Sequence, residues 1–322
     1  MKQIALVLLI PIALAAVGVA ISVWTNVLTS QSPTGSDRAP GTILVYEVDP
    51  EKAPGNKPVD LDALVKAVAH RIACTGDRAA SVEALEDGRV QVSVLGNDSA
   101  TVQRIERSLS SAGTFELRIL ANRKDHDHSR LIEEAADKSK EDDAGRVLDA
   151  DGNEIGRWVP VKTGATTRDQ ARVRRLVGDT ESNVVRPGAE SDPDVNEILV
   201  IKDEWDVTGE FLNSVRPDFD QNTGERCLSV RFNQAGAARL SGLTKSHRPD
   251  YASRLSWKLG IILDGSLYSA PTLRDVISSS CQISGGFGPQ EVADLADVLN
   301  AGALPAPIRQ VEKRKTGQPV EP

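Results

Sequence analysis

Residues 81–95 read SVEALEDGRVQVSVL, two β-prone runs, Ser81 to Leu85 and Val90 to Leu95, held apart by Glu86-Asp87-Gly88-Arg89. A polar tetrapeptide with one glycine supplies the turn, so the stretch predicts a β-hairpin. What surrounds the hairpin decides the fold. Upstream, Ile43 to Val48 reads as a strand, and Asp60 can cap a helix whose Leu61, Leu64, Val65, Val68 and Ile72 follow helical spacing. Downstream, Ser99 can cap a second helix carrying Val102, Ile105 and Leu109, and Thr114 to Leu120 (TFELRIL) alternates as a strand.

The order over 42–121 is therefore β-α-β-β-α-β. That is the ferredoxin-like split βαβ arrangement, in which two helices cover one face of an antiparallel sheet. From 122 to 196 charge is clustered (KDHDHSRLIEEAADKSKEDD), and the stretch reads as a polar insertion. Within it RVLDADGNEIGRWVPV, 146–161, holds Asp151-Gly152 between β-prone runs and predicts a second hairpin. A second folded subdomain spans 197–308. It contains a strand (Cys227 to Phe232), a helix (Gln234 to Leu243), strands flanking Asp264-Gly265, and a short strand from Cys281 to Ser284. Its last helix runs from Pro289 to a stop at Gly302. The residues after it, 309–322, are polar and read as a flexible tail. The fold class expected is α+β: a ferredoxin-like base plus a second α+β subdomain, behind an N-terminal apolar helix.

Ile4 to Trp24 (IALVLLIPIALAAVGVAISVW) carries no charge, and its length is what a bilayer core requires. Residues 1–28 are a transmembrane anchor or a signal segment. The run exceeds the usual signal-peptide core and no clean Ala-x-Ala follows it, which favours a retained anchor. With Lys2 on the cytoplasmic side, the rest is expected outside the inner membrane, in the periplasm. Residues 29–41 (TSQSPTGSDRAPG) form a linker rich in small and turn residues.

Composition excludes several classes. Net charge is −8 and the chain has only four Trp, three Tyr and five Phe, so the basic surface and stacking rings of a nucleic-acid binder are missing. Glu133-Glu134 and Glu141-Asp142-Asp143 lie in a solvated acidic stretch and make no catalytic pair. His126-Asp127-His128 places two possible metal ligands two apart, but in a charged insertion that is expected to be exposed. DADGNE at 149–154 resembles the opening of a calcium loop yet lacks the closing Glu and flanking helices. No Gly-x-Ser-x-Gly elbow is present, and Gly285-Gly286-Phe287-Gly288 lacks the Lys and Ser or Thr of a phosphate loop. The reading is non-catalytic, with no cofactor and no metal. Cys227 and Cys281 fall on two strands of one subdomain and are the pair that could close a disulfide.

Five blocks of the second subdomain, in order, resemble SecD, the accessory subunit of the bacterial Sec export machinery. They are Asp206-Val207-Thr208-Gly209; Phe232-Asn233 through Gly236-Ala237 to Leu243-Thr244; and Ile261-Ile262-Leu263-Asp264-Gly265 with Ser269-Ala270-Pro271. Ile283-Ser284-Gly285 and Ala301-Gly302-Ala303-Leu304-Pro305-Ala306-Pro307 complete the set. The resemblance implies the first periplasmic domain of SecD, base plus head. It marks Thr208, Gly209, Gly236, Leu263, Asp264, Gly265, Ala270, Pro271, Gly285, Gly302, Leu304, Pro305 and Pro307 as structural or partner-binding positions. Partners so implied are Sec membrane subunits or a SecF-like chain, an unfolded secretory polypeptide, and the membrane through the N-terminal helix. SecD's LGLDLxGG block is replaced by SDRAPGTILVYEVD, and no second apolar span follows Pro307 within these 322 residues. The expectation is therefore an export role without proton-coupled motor activity, since a proton relay needs ionisable groups inside the membrane. The other reading is an envelope structural protein that kept the fold and lost the export role.

Overall fold

The computed structural model describes residues 41–50, 59–74, 80–96, 98–142, 145–161, 182–187, 196–221, 223–250, 252–284 and 287–316. All of them belong to the compact unit Arg38–Pro322. The anchor and nearly all of the linker expected at the N-terminus lie outside the described residues. Among those described, no helix is long and apolar enough to cross a membrane.

A four-stranded antiparallel sheet forms the base. Its central strand β1 (Gly41–Val48) is followed by α1 (Leu61–Cys74), β2 (Ala80–Ala84), β3 (Val90–Leu95) and α2 (Ser99–Leu109). Asp60 caps α1, accepting from the backbone N–H groups of Asp62 and Ala63 at 3.0 and 3.1 Å. The cap of α2 is Asp98, one residue before Ser99, and it accepts from Ala100 and Thr101. Both helices lie on one face: Leu64, Val68, Ile72, Val102, Ile105 and Leu109 bury against Leu44, Tyr46, Val90, Val92 and Val94. β2 and β3 pair as the sequence predicts, Val82 opposite Val92.

The fourth strand is not the one that the spacing predicts. Residues 115–119 leave the base, and its sheet is closed by β15 (Ile308–Thr316), which pairs with β1 from Gly41–Thr316 to Val48–Ile308. The segment read as a loose tail is thus largely an edge strand. Burial explains the exchange. β4 (Phe115–Ile119) and the two residues after it are almost wholly buried, which suits a strand with neighbours on both sides. Arg309, Glu312, Lys313 and Arg314 of β15 are tolerable only at an edge facing water.

Between α2 and β15 the chain builds the head. β5 (Arg146–Leu148), β6 (Glu154–Val161), β7 (Val185–Pro187), β8 (Asn196–Ile201), β9 (Val207–Thr208), β12 (Leu259–Leu263) and β13 (Ser266–Ser269) join β4 in one mixed sheet. Its order is β7-β8-β6-β13-β12-β4-β9, with β5 beside β6. The stretch read as a polar insertion therefore supplies the middle of this sheet: Trp158, Val159 and Val161 of β6 are buried. The predicted 146–161 hairpin is present, with Asp149 accepting from the N–H groups of Asp151 and Asn153 around its turn.

A second sheet, β10 (Leu212–Phe219), β11 (Arg226–Phe232) and β14 (Ser280–Ser284), is ordered β10-β11-β14. Three helices among the described residues pack on the head: α3 (Ser129–Glu134), α4 (Gln234–Ser246) and α5 (Pro289–Ala301). The core common to both sheets joins Phe115, Leu117 and Ile119 to Leu228, Val230 and Phe232, roofed by Leu240 and Leu243 of α4 and Val292 and Leu299 of α5.

Deleting residues 308–316 should strip β1 of one of its two partners. Hydrogen exchange is then expected to show lost amide protection across 41–48 and 90–95, with β6 and β12 of the head far less affected.

Candidate functional site

The chain leaves the base through 110–114 and returns through 302–307. These two linkers meet where the Leu304 N–H donates to the Ala112 carbonyl at 2.8 Å, and the Pro307 carbonyl accepts from the N–H of Asp49, just after β1, at 2.9 Å. Between them sits Arg71 of α1, 1% exposed. Its guanidinium donates to the carbonyls of Ser108 (3.3 Å), Ala112 (3.0 Å) and Gly302 (2.6 Å), and to that of Ser111. Burial lowers the guanidinium to about 10, with nearby Asp264 pulling the other way, so it is still a cation at neutral pH. Gly113, at φ +75°, has no room for a side chain, since a Cβ there would meet the Arg71 guanidinium.

Asp264 closes the same cluster from the head. It lies with Gly265 at the β12–β13 turn, both at positive φ (49° and 73°), the geometry of a tight hairpin. Its carboxylate accepts from the Ser111 hydroxyl at 2.5 Å and the Thr114 N–H at 3.0 Å, and its own N–H donates to the Thr114 carbonyl at 3.1 Å. Gly302 ends α5 at φ +82° and turns the chain out, after which Leu304 is buried in the base core. Pro305 is exposed and Pro307 half-buried. Asp264, Gly302, Leu304 and Pro307, scattered in the sequence, thus meet on one neck.

Comparison with known proteins gives this neck its context. Residues 185–306 match the family model described as SecDF, P1 head subdomain. Among curated proteins, protein translocase subunit SecD of Koribacter versatilis is 39% identical over 137 residues, 42% of this chain and 24% of that protein. SecD of Elusimicrobium minutum is 28% identical over 287 residues, 88% of this chain and 53% of that protein. The chain is thus similar to the P1 domain of SecD in sequence and in fold. It spans a quarter to about half of the length of these curated relatives. Two solved structures share the fold at 21% identity. SecDF in a super-membrane-facing form has a TM-score of 0.55 over 88% of this chain and 32% of that one. A structure of SecDF, a membrane component that enhances protein export, has a TM-score of 0.52 over 84% of this chain and 98% of that one.

Other motif positions in this P1-like chain lie away from the neck. Gly236 near the start of α4 lets the helix approach Phe211, whose Cβ would stand 2.6 Å from a Cβ at 236. Thr208 and Gly209 sit beside β4 near Phe115, and Leu263 is buried opposite Phe115. Ala270 and Pro271 follow β13, their carbonyls accepting from Lys258 Nζ and the Leu259 N–H. Gly285 lies outside the described residues. The possible Cys227–Cys281 disulfide is not formed; all three cysteines are free. β11 and β14 are neighbours, but Cys227 faces Ser284 while Cys281 faces Val230, which puts the thiols on opposite faces of the sheet. Burial pushes the Cys281 thiol up to about 12.

Sequence reasoning missed three groups. Arg71 was legible in one respect, since it falls on the apolar face of α1 with Leu64, Val68 and Ile72. The second is a charged network on the head sheet. Arg118, 6% exposed, meets Glu116 at 2.7 Å and Glu154 and Asp206 at 3.3 Å, while Arg157 meets Glu116 at 2.5 Å. Burial pushes the Glu116 carboxyl up, but Arg157 and Arg118 outweigh it and hold it below its usual value. The third is a histidine cluster. His126 and Asp127 are exposed as expected, but His128 is buried, accepting from the Asn122 N–H at Nδ1 (2.9 Å), with its ring centroid 6.2 Å from that of His247. Among the described residues no group of three or more His, Cys, Asp or Glu is arranged to hold a metal ion.

Replacing Arg71 by Met should leave buried carbonyls of both linkers without a donor. The expected loss is on the order of 3 kcal/mol, read as a lower urea midpoint, and Arg71→Lys should not restore it because one ammonium lacks the planar fork that reaches both linkers. His128 yields a pH prediction. Burial lowers it from 6.5, with Asp125 only partly opposing, so the unfolded chain takes up a proton that the folded one refuses. Its share of stability is complete above pH 6.5 and shrinks as pH falls through 6.5 toward the lower folded value. Urea unfolding at pH 7.5 and 5.5 should show a larger drop for the native protein than for His128→Gln; equal drops would contradict it.

Proposed function

We propose that this chain is a membrane-anchored periplasmic module that assists protein export by binding a translocating polypeptide or Sec membrane subunits. The observation that carries the reading is the match to SecD over 287 residues, from base through neck to head, in the order in which the motif blocks occur. Residues 1–28 would hold the module to the inner membrane and 29–41 would lift it clear, with 42–121 and 197–308 as the base and head of the SecD-like periplasmic domain. The neck motifs then serve to orient the head, and binding falls to exposed surfaces rather than to catalytic groups.

Two sheet edges suit an extended polypeptide. Among the described residues β2 at the base and β14 in the head each pair with a single strand, leaving the outer row of backbone groups for an added strand. The β10 edge, by contrast, is blocked midway: the Asn300 side chain accepts from the Val215 N–H at 2.8 Å and donates to its carbonyl at 2.7 Å. The reading implies SecF-like and other Sec membrane subunits as neighbours, and a role in export rather than in envelope structure alone.

Photo-crosslinking residues placed at Glu83 on β2 and Gln282 on β14, both exposed, test this in intact cells. Adducts with Sec membrane subunits or with secretory chains caught in transit are expected. If neither is recovered while the protein is at its normal level, the export role fails and the independent envelope protein takes its place.

A further inference from the structure

On the side of the head where α3, α4 and the end of β8 meet, a cavity of about 640 Å³ opens. Its polar groups include His128, His247, Asp125, Asp127 and Asp203, and Trp257 closes one wall. Leu131, Ile155 and Leu255 give it an apolar floor. Hydrogen bonds fix both rings. His128 accepts at Nδ1 from the Asn122 N–H, which leaves its proton on Nε2, 3.6 Å from Asp125 Oδ2. His247, 7% exposed, lies with Nδ1 2.8 Å from the Leu243 carbonyl, so Nδ1 carries a proton and, in the neutral ring, Nε2 keeps the lone pair.

That lone pair stands 4.0 Å from Asp203 Oδ2. Two acceptors therefore face each other in a half-buried recess, while the other Asp203 oxygen takes the Trp205 N–H at 2.8 Å. A donor bearing several N–H groups, such as a guanidinium, can serve both at once. A metal suits the recess poorly, because binding at His128 Nε2 while Nδ1 keeps its backbone N–H would require an imidazolate. Charge points the same way. Three carboxylates line the cavity against Arg130 and Lys202; Arg130 is exposed, and Lys202 is held by Asp206 at 3.2 Å. The indole of Trp257, edge-on to His247 at 5.7 Å and donating to Asp125 at 2.8 Å, adds an aromatic wall on which a cation can rest.

We propose that this cavity receives the guanidinium of an arginine side chain from an extended polypeptide, with the His247 and Asp203 acceptors sharing its N–H donors and the apolar floor taking its methylene stem and a flanking residue. The volume exceeds what a guanidinium group alone would fill, which is why the flanking residue belongs to the proposal. This inference rests on the polypeptide-binding reading above and narrows its substrate to basic segments.

Calorimetric titration of the full chain in detergent with acetyl-Leu-Arg-Leu-Leu-amide provides the test. Exchanging Arg for neutral, isosteric citrulline in the probe should weaken binding at least tenfold, and agmatine alone should bind more weakly than the peptide. Asp203→Asn should weaken the arginine peptide about tenfold. Ser246→Arg, at an exposed position on the rim, should block the cavity with its own guanidinium while keeping every acceptor, and so covers the case in which Asp203→Asn misfolds. Equal binding of the citrulline probe, agmatine binding as tightly as the peptide, insensitivity to Ser246→Arg, or no binding would each overturn the proposal. The crosslinking result stands apart: export contacts with a citrulline-tolerant cavity would sink only this inference.

Discussion

One buried cation fixes the layout of the molecule. Arg71 is on the first helix of the base, yet its four acceptors belong to the chain leaving the base and the chain returning to it. Among the described residues no carboxylate forms an ion pair with it. Asp264 acts through Ser111 and Thr114, one layer out. Taking a guanidinium out of water costs several kcal/mol unless its donors are used, and here carbonyls at the end of α2 and in the two linkers take both terminal nitrogens, while Nε is left without a partner. Both linkers must therefore hold their positions for Arg71 to be tolerated, and the head is gripped at a neck rather than strung on a free tether.

The base was legible up to its last strand. Helical spacing in 61–72 and 102–109, the hairpin at 81–95 and the caps follow from local rules, and the structure departs by a residue or so at their ends. The fourth strand was not legible, because the choice lies between two segments about 190 residues apart in sequence and local pattern ranks them wrongly. TFELRIL looks the better strand, and it is one, but its two-sided burial suits the interior of the larger sheet. IRQVEKRKT looks like a tail. It becomes a strand because β1, already paired to β3 and buried along most of its length, presents a second row of backbone groups that must be satisfied.

At the neck, what could be read was backbone geometry. Asp264-Gly265 and Gly302 announce turns that require positive φ, and all three adopt it. What could not be read was the company they keep, since Ser111, Ala112 and Arg71 carry no local signal for a contact made across more than 150 residues. The histidines show the same limit from the other side. His126 and His128 are two apart and were weighed as one feature, yet a 3-10 turn over His126–His128 leaves the first in water and buries the second. Its neighbour His247 comes from the far end of α4, which only the tertiary fold brings near.

The inserted head also bears on how the base closes. β1 and β15 pair across nearly the whole described chain, and Tyr46 reaches Gln310 at a separation of 264 residues. Joining two ends of a flexible loop of the head's length would cost about 4–5 kcal/mol in chain entropy. A folded head removes most of that cost, because its own structure sets Ala112 and Leu304 within one hydrogen bond of each other. The base sheet is then completed at the neck, by a head that has already brought its ends together. The dependence runs both ways. A change in the head that separates the start of β4 from the end of α5 would pull on the Arg71 contacts and on the β15–β1 pairing, since both are anchored at the two linkers.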